Sequence, residues 1–326
     1  MTLADLKPLI LILADGQFHP GEDLGRRLGI TRAAVWKRLQ SLAELDLEVE
    51  RTRARGYRIN GGLQLLDKER ISASLAEPAG RLLGQLHFFD ELDSTNRFLL
   101  QQGQGGDVCV AERQTAGRGR RGRQWFSPYG RNLYLSLRWH FDQGVAALEG
   151  LSLAVGLVIA ESLQELGVSG VELKWPNDLF CQGKKLGGVL IEVGGDLNGD
   201  CAVVVGVGLN VAMRENLERK AGALIQQPWT DLCRQGFESD RNQLCAALIG
   251  ALLPALKTYP ERKFGFYKDR WESRAMLRNQ SIEVHSPGQV ALGVMLGVDV
   301  TGALRVMTGA GEALFSGGEI SLRGSA

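Results

Sequence analysis

The sequence is poor in the residues that build metal centres and disulfide frameworks. Five cysteines are scattered over 326 residues, at positions 109, 181, 201, 233 and 245, with no CxxC spacing. That excludes a zinc ribbon and predicts reduced thiols in a cytoplasmic protein. The four histidines, His19, His87, His140 and His285, stand apart, so no built-in transition-metal site is expected. An excess of one charge is lacking too. Lys and Arg number 38 against 37 Asp and Glu, for a formal net charge of +1. Any affinity for nucleic acid must therefore come from local clusters. Long apolar runs are missing as well. The most apolar stretch, 151–160, lies between Glu149 and Glu161, far short of the roughly 20 residues a membrane span needs. Asp5 and Lys7 interrupt the first fifteen residues and no small-residue cleavage site follows, so no signal peptide is expected.

What is present is ordinary for a folded protein: 44% hydrophobic and 23% charged residues. The length exceeds what one core usually organises, which predicts two or three domains. The first, 1–62, reads as three short helices and a hairpin. Leu3, Leu6, Ile10 and Leu13 recur at helical spacing until Asp15-Gly16 ends the run. Glu22 to Leu28 gives a second helix, Gly29-Ile30 a turn, and Thr31 an N-cap for a third carrying Val35, Leu39 and Leu42 on one face. Leu47–Val49 and Tyr57–Ile59 flank Arg55-Gly56 as a β-hairpin. That pattern matches a winged helix-turn-helix. Basic residues are segregated onto it: Arg26, Arg27, Arg32, Lys37 and Arg38, then Arg51, Arg53, Arg55 and Arg58 along the hairpin. In DNA readers of this kind the third helix enters the major groove and wing cations neutralise phosphates. The candidate DNA-facing residues are Arg32, Ala33, Trp36, Lys37, Gln40, Arg53 and Arg55. The competing reading is a solvated basic face, with Trp36 packed inward.

Asn60-Gly61-Gly62 is a linker. From 65 to 275 strand-like runs (86–89, 108–111, 133–139, 171–175, 188–193, 202–207) mix with helices, and 146–166 is apolar nearly all round, as in a buried helix. From 276 to 326 short strands at 282–284, 290–296, 304–306 and 313–315 are separated by Gly- and Pro-containing turns, which predicts a small β-barrel.

The loudest local signal is Glu112-Arg113-Gln114-Thr115-Ala116-Gly117-Arg118-Gly119-Arg120-Arg121-Gly122-Arg123-Gln124-Trp125. It holds five arginines and no acid after Glu112. Glycines let backbone amides approach an anion, and guanidiniums supply fixed charge. The accidental GxGxxG is no dinucleotide fingerprint, because Trp125-Phe126-Ser127-Pro128 follows instead of a helix. Alone, the loop reads equally well as an RNA-binding tract. Lys174-Trp175-Pro176-Asn177-Asp178 with Lys184-Lys185-Leu186-Gly187-Gly188 places two lysines and an acid about a turn; by itself it reads as a polar hairpin. Asp93-Ser94-Thr95-Asn96 reads as a ligand-binding cluster or a helix cap. Val204-Val205-Gly206-Val207-Gly208-Leu209-Asn210 is a buried strand whose glycines admit a close approach.

Taken in order, these motifs behind a winged helix resemble those of the bifunctional biotin protein ligases and biotin-operon repressors, over nearly the whole chain. The resemblance implies an α+β multidomain protein: the winged helix-turn-helix, a central domain like that of class II aminoacyl-tRNA synthetases, and an SH3-like β-barrel. It implies a two-step reaction in which biotin and Mg2+-bound ATP give biotinyl-5′-AMP, and a lysine of a biotin carboxyl carrier protein takes the biotin. By position it assigns Ser94, Thr95, Asn96 and Gln114 to the biotin head group. Arg118, Gly119 and Arg120 go to the biotin carboxylate and α-phosphate, and Lys185 to both steps. Asp178, beside Asn177, is placed to orient or deprotonate the acceptor amine. Arg120, Arg121, Trp125, Asn177, Asn210, Trp229, Arg323 and the stretch 213–227 are assigned to ATP and the adenylate. The adenylate is expected to act as corepressor, pairing two chains on operator DNA through 188–193 and 202–207 taken as edge strands. A lipoate ligase, a ligand sensor without chemistry, and an RNA-binding protein are the alternatives.

Overall fold

The computed structural model describes residues 1–144, 148–195, 201–213, 217, 225, 227–238, 240–286 and 289–322. Three helices open the chain. α1 (Leu3–Leu13) starts from a reciprocal capping box between Thr2 and Asp5 and buries Leu6, Leu9, Ile10 and Leu13. α2 (Gly21–Leu28) stops at left-handed Gly29, and α3 (Arg32–Ser41) is capped by the Thr31 hydroxyl, which accepts from the Ala34 amide at 3.2 Å. The hairpin β1 (Val49–Thr52) and β2 (Gly56–Ile59) follows. Leu47 precedes the first strand rather than opening it, and is buried with Leu24, Val35, Leu39, Leu42 and Ile59. One ring in this core comes from much later in the chain. Tyr129 is fully buried there, and its hydroxyl contacts Asp90, which also takes the Lys7 ammonium at 2.7 Å.

Two short helices, α4 (Lys68–Ala73) and α5 (Ala79–Leu82), lead into an α/β unit. Its strands are β3 (Leu86–Phe89), β4 (Val108–Ala111), β5 (Asn132–Phe141), β6 (Val171–Lys174), β7 (Asp178–Cys181), β8 (Lys184–Gly195) and β9 (Cys201–Asn210), and its helices are α6 (Thr95–Gln102), α7 (Leu151–Glu165), α8 (Arg241–Arg262) and α9 (Lys268–Glu272). The sheet order is β3-β4-β5-β9-β8-β7-β6, with β3 and β4 parallel and the other pairs antiparallel. Side chains alternate across it. Leu133, Leu135, Leu137, Val189, Val203, Val205, Val207 and Leu209 face α7 and α8 in the main core. Ser136, Glu192, Val204, Gly206 and Gly208 alternate with them, and meet α6 and the arginine loop.

Two expectations need correcting. The apolar helix starts at Leu151, not 146, because Gly150 holds φ +70° just before it; residues 145–147 lie outside those described. The runs 188–193 and 202–207 are not edge strands. β9 lies mid-sheet between β5 and β8, and the edges are β3 and β6. β8 does outrun β7, whose ladder stops at Gly188, so past that residue its strand partner is β9.

The tail forms a five-stranded antiparallel sheet, ordered β13-β12-β11-β10-β14, from β10 (Ser281–Ser286), β11 (Gln289–Val298), β12 (Leu304–Thr308), β13 (Gly311–Phe315) and β14 (Glu319–Leu322). Ile282, Val284, Met295, Leu304, Val306 and Ile320 join Trp271 and Phe264 in the main core, so this sheet packs continuously with the α/β unit. Among the described residues no helix is long and apolar enough to cross a membrane.

Candidate active site

The floor of the site is made by missing side chains. A Cβ at Gly206 would collide with the Asn96 carboxamide, and one at Gly208 would lie 2.6 Å from the Trp125 ring. Ser94 caps α6, its hydroxyl accepting from the Arg97 amide, and so swings Thr95 and Asn96 over that floor. The Thr95 amide and hydroxyl meet Gln114 Oε1 at 2.9 and 3.1 Å. Ser136, on β5, places its hydroxyl 2.7 Å from Thr95 Oγ1 and 2.6 Å from Asn96 Oδ1. The Asn96 amide donates to the Leu190 carbonyl and to Glu192 Oε2, at 3.3 and 2.8 Å. Asn96 thus braces the floor with both ends of its carboxamide. Sequence reasoning missed Ser136 and Glu192, which sit in apolar strands with no motif around them. The crowding gives a test: Gly206→Val should lower ligand affinity at least about 100-fold by filling the floor, read by calorimetry, and unchanged affinity would remove this wall from the site.

The arginine loop folds onto this floor as one tight turn. Gly119 N–H donates to the Arg123 carbonyl at 2.7 Å, and Trp125 N–H to the Gly117 carbonyl at 2.9 Å. Gly117 is packed so closely that a Cβ would lie 2.8 Å from Ser127 Oγ. Arg118 reaches Glu192 at 3.1 Å. Arg120 lies 3.3 Å from Asn177 Oδ1 and 3.4 Å from the Gly318 carbonyl. Burial, then the like charge of Arg121, pushes its pKa below the ordinary guanidinium value. Arg121, with φ +55°, does not line the cleft itself but reaches two residues that do, the His285 carbonyl at 3.4 Å and Glu319 at 4.0 Å. Arg123, not expected in the site, lines the cleft and pairs with Glu319 at 2.8 Å. The buried Arg118 Nε and Trp125 Nε1 have no hydrogen-bond partner, which leaves two donors for an incoming acceptor.

Lys174 to Asp178 form the facing wall, crossing a cis Trp175–Pro176 bond. A bulge on β8, where Leu179 pairs Gly187 but Phe180 pairs Lys185, re-aims Lys185 into the cleft. Its ammonium sits 2.8 Å from Asp178 Oδ1. Asn177 is fixed by donating to the Val189 carbonyl at 2.8 Å. Burial lowers the Lys174 pKa, and Lys185 opposes its charge further, against Asp178. Asn210, buried and donating to the Thr230 carbonyl, and Trp229, under the Arg234 guanidinium, complete the cleft with Ile225 and Phe126. From the tail sheet come His285, Glu319 and Ile320. The cleft encloses about 660 Å³, the size of a small-molecule site.

The cleft therefore gathers Ser94, Thr95, Asn96, Gln114, Arg118, Gly119, Arg120, Trp125, Asn177, Asp178, Lys185, Asn210 and Trp229. Arg121 is left outside it, and Arg323 and most of 213–227 fall outside the described residues. Outside it, Arg32, Ala33, Trp36, Lys37 and Gln40 are all exposed on α3, Trp36 at 49%, so the indole is not core. Arg53 and Arg55 are exposed on the hairpin turn, where Arg55 and Arg58 lie over the Phe18 ring, 4.1 and 4.4 Å from its centroid.

A winged helix-turn-helix joined to an α/β domain, with a cation-rich cleft that holds both neutral hydrogen-bonding groups and anion-binding ones, defines a two-headed protein: one part built to face nucleic acid, the other to hold a small acid beside a phosphate. Comparison with known proteins narrows the class. Residues 88–210 match the biotin/lipoate A/B protein ligase family, and residues 7–58 an HTH domain. The bifunctional ligase/repressor BirA of Salmonella typhimurium is 41% identical over 97% of this chain and 96% of its own length, and that of Escherichia coli 40% over the same shares. The biotin protein ligase of Aquifex aeolicus, solved with biotin and ATP, superposes with a TM-score of 0.63 at 32% identity, covering 74% of this chain and all of its own. The chain belongs to the biotin/lipoate A/B protein ligase family, in the form that carries an N-terminal HTH domain.

Proposed function

We propose that this protein activates biotin with Mg-ATP, transfers it to a lysine of a biotin carboxyl carrier protein, and represses transcription through its winged helix. The observation that carries the reading is one cleft holding Ser94, Thr95 and Gln114 on one side and Arg118, Arg120 and Lys185 on the other. The neutral groups suit a ureido ring and the cations an acid beside a phosphate. In the first step a biotin carboxylate oxygen attacks the α-phosphorus, forming the acyl–phosphate bond as pyrophosphate leaves. In the second the acceptor ε-amine attacks the acyl carbon and AMP departs. The first step presses two anions together. At an effective dielectric near 20, one close opposite charge offsets on the order of 4 kcal/mol, so Arg118, Arg120 and Lys185 stabilise the encounter by position and charge. Asp178 holds Lys185 in place and is the acid placed to orient the incoming amine. Arg120, Trp125, Asn177, Asn210 and Trp229 line the nucleotide side, and Mg2+ enters with the triphosphate.

We divide the chain at 1–62, 65–275 and 276–326, as a winged helix, a class II synthetase-like domain and an SH3-like barrel, in a cytoplasmic protein. Exposed Arg32, Ala33, Trp36, Lys37, Gln40, Arg53 and Arg55 are the residues for operator DNA. The adenylate is the corepressor, and the flank of β8 past Gly188, clear of β7, is the surface through which adenylate-bound chains pair. Sedimentation should show a dimer only with adenylate present; an unchanged monomer overturns that pairing.

The test of the whole reading is direct. With ATP, biotin and a carrier domain, mass spectrometry should show the carrier gaining one biotinyl group. No gain with biotin, or a gain with lipoate alone, overturns it. Pyrophosphate release separates a ligase from a sensor without chemistry.

A further inference from the structure

Glu192 lies just outside the cleft but touches two residues that line it. Its carboxylate sits 3.1 Å from the Arg118 guanidinium and accepts from the Asn96 amide at 2.8 Å. It is on the cleft face of β8, two residues past Leu190, where the strand has outrun β7. Two of the other cleft cations are held in the same manner: Lys185 by Asp178 and Arg123 by Glu319. Arg118 nevertheless keeps a buried Nε without a partner. The guanidinium is therefore held at one edge by an internal acid, with donor capacity left over.

We infer that Glu192 is a specificity-determining counter-ion, an internal carboxylate that occupies Arg118 until a carboxylate ligand of the right shape displaces or shares it. The inference rests on the proposed biotin site. A fixed acid beside Arg118 raises the threshold for any anion entering the acid subsite. Inorganic phosphate, which gains nothing from Ser94, Thr95 and Gln114, is turned away. An acid whose ring also satisfies those groups overcomes the competition. Glu192 touches no substrate in this scheme; it acts through Arg118, while its bond to Asn96 steadies the floor.

Glu192→Gln keeps an acceptor for Asn96 and removes the charge. Calorimetry is to be run on the full-length protein with biotin and with its uncharged primary amide. The pair is partly exposed, so its competition is modest: about a three-fold gain in biotin affinity is expected, with amide affinity unchanged. Inorganic phosphate should also compete more effectively against biotin in the variant. A purely structural acid predicts that acid and amide weaken together, and that result overturns the inference, as does an unchanged acid-to-amide ratio. If the glutamine variant does not fold, Glu192→Asp, withdrawn from Arg118 by one methylene, should shift the ratio in the same direction, and an unshifted ratio counts against it equally. Wild-type protein that binds neither probe defeats the biotin reading itself, which keeps the two failures apart.

Discussion

Lys185→Ala is expected to reduce biotin-dependent pyrophosphate exchange by at least about 10²- to 10³-fold, the scale seen when one pre-placed donor to developing charge is lost. The ammonium is brought to the cleft by a strand bulge and held by Asp178, with its side chain only 15% exposed. Around it Trp125 supplies an aromatic face, 5.8 Å from the nitrogen, so its charge acts in a partly dry setting. Without it fewer cations oppose the approaching carboxylate and phosphate, and Asp178, left without its partner, becomes a repelling charge. Because the interaction strengthens as charge develops, the loss should fall on kcat more than on the biotin KM. Circular dichroism melts on the same sample exclude unfolding. A folded variant with normal exchange would remove Lys185 from the chemistry.

Arg241→Ala should cost about 3–5 kcal/mol of unfolding free energy, the usual effect of stranding one member of a buried ion pair. Arg241 and Glu112 have side chains 2% and 1% exposed and meet at 2.8 Å. The guanidinium also donates to the Gln64 and Asn132 carbonyls at 2.8 and 2.7 Å, and Glu112 accepts from the Leu66 amide. Glu112 is the residue at which β4 becomes the arginine loop, and residues 64–66 follow the winged helix. This salt bridge and its hydrogen bonds thus tie together α8, the loop's root and the segment just past the Asn60–Gly62 linker. Urea titration reads the loss. It should persist in molar salt, because a buried pair is little screened, and salt-dependent recovery would contradict the assignment.

Much of this was legible in the primary structure, for physical reasons that differ by element. The winged helix was readable because α1 to α3 are amphipathic, capped and short. The arginine loop and Lys174–Asp178 announced the cleft because anion binding demands unusual composition. Helix α8 was not placed, since Pro254 and Pro260 interrupt it and buried positions blur its stripe. Ser94 was readable as a possible cap, but α6 behind it was not. β14 was not placed, because its pairing with β10 is non-local. Strand order caused the error over 188–193 and 202–207: local alternation reveals a strand and says nothing about its neighbours. Ser136 and Glu192 act through contacts over 40 and 74 residues away in sequence, which no window can see.

The cleft has an electrical consequence for how the nucleotide arrives. Its lining includes Arg118, Arg120, Arg123, Lys174 and Lys185 against Asp178 and Glu319, although the molecule as a whole is almost neutral at +1. Positive potential is thus focused where the triphosphate must enter, apart from the separate basic face of the winged helix. Added electrolyte should slow capture of the polyanion well before it disturbs docking of an uncharged ring, since field-guided encounter decays over roughly one Debye length, about 8 Å at physiological ionic strength.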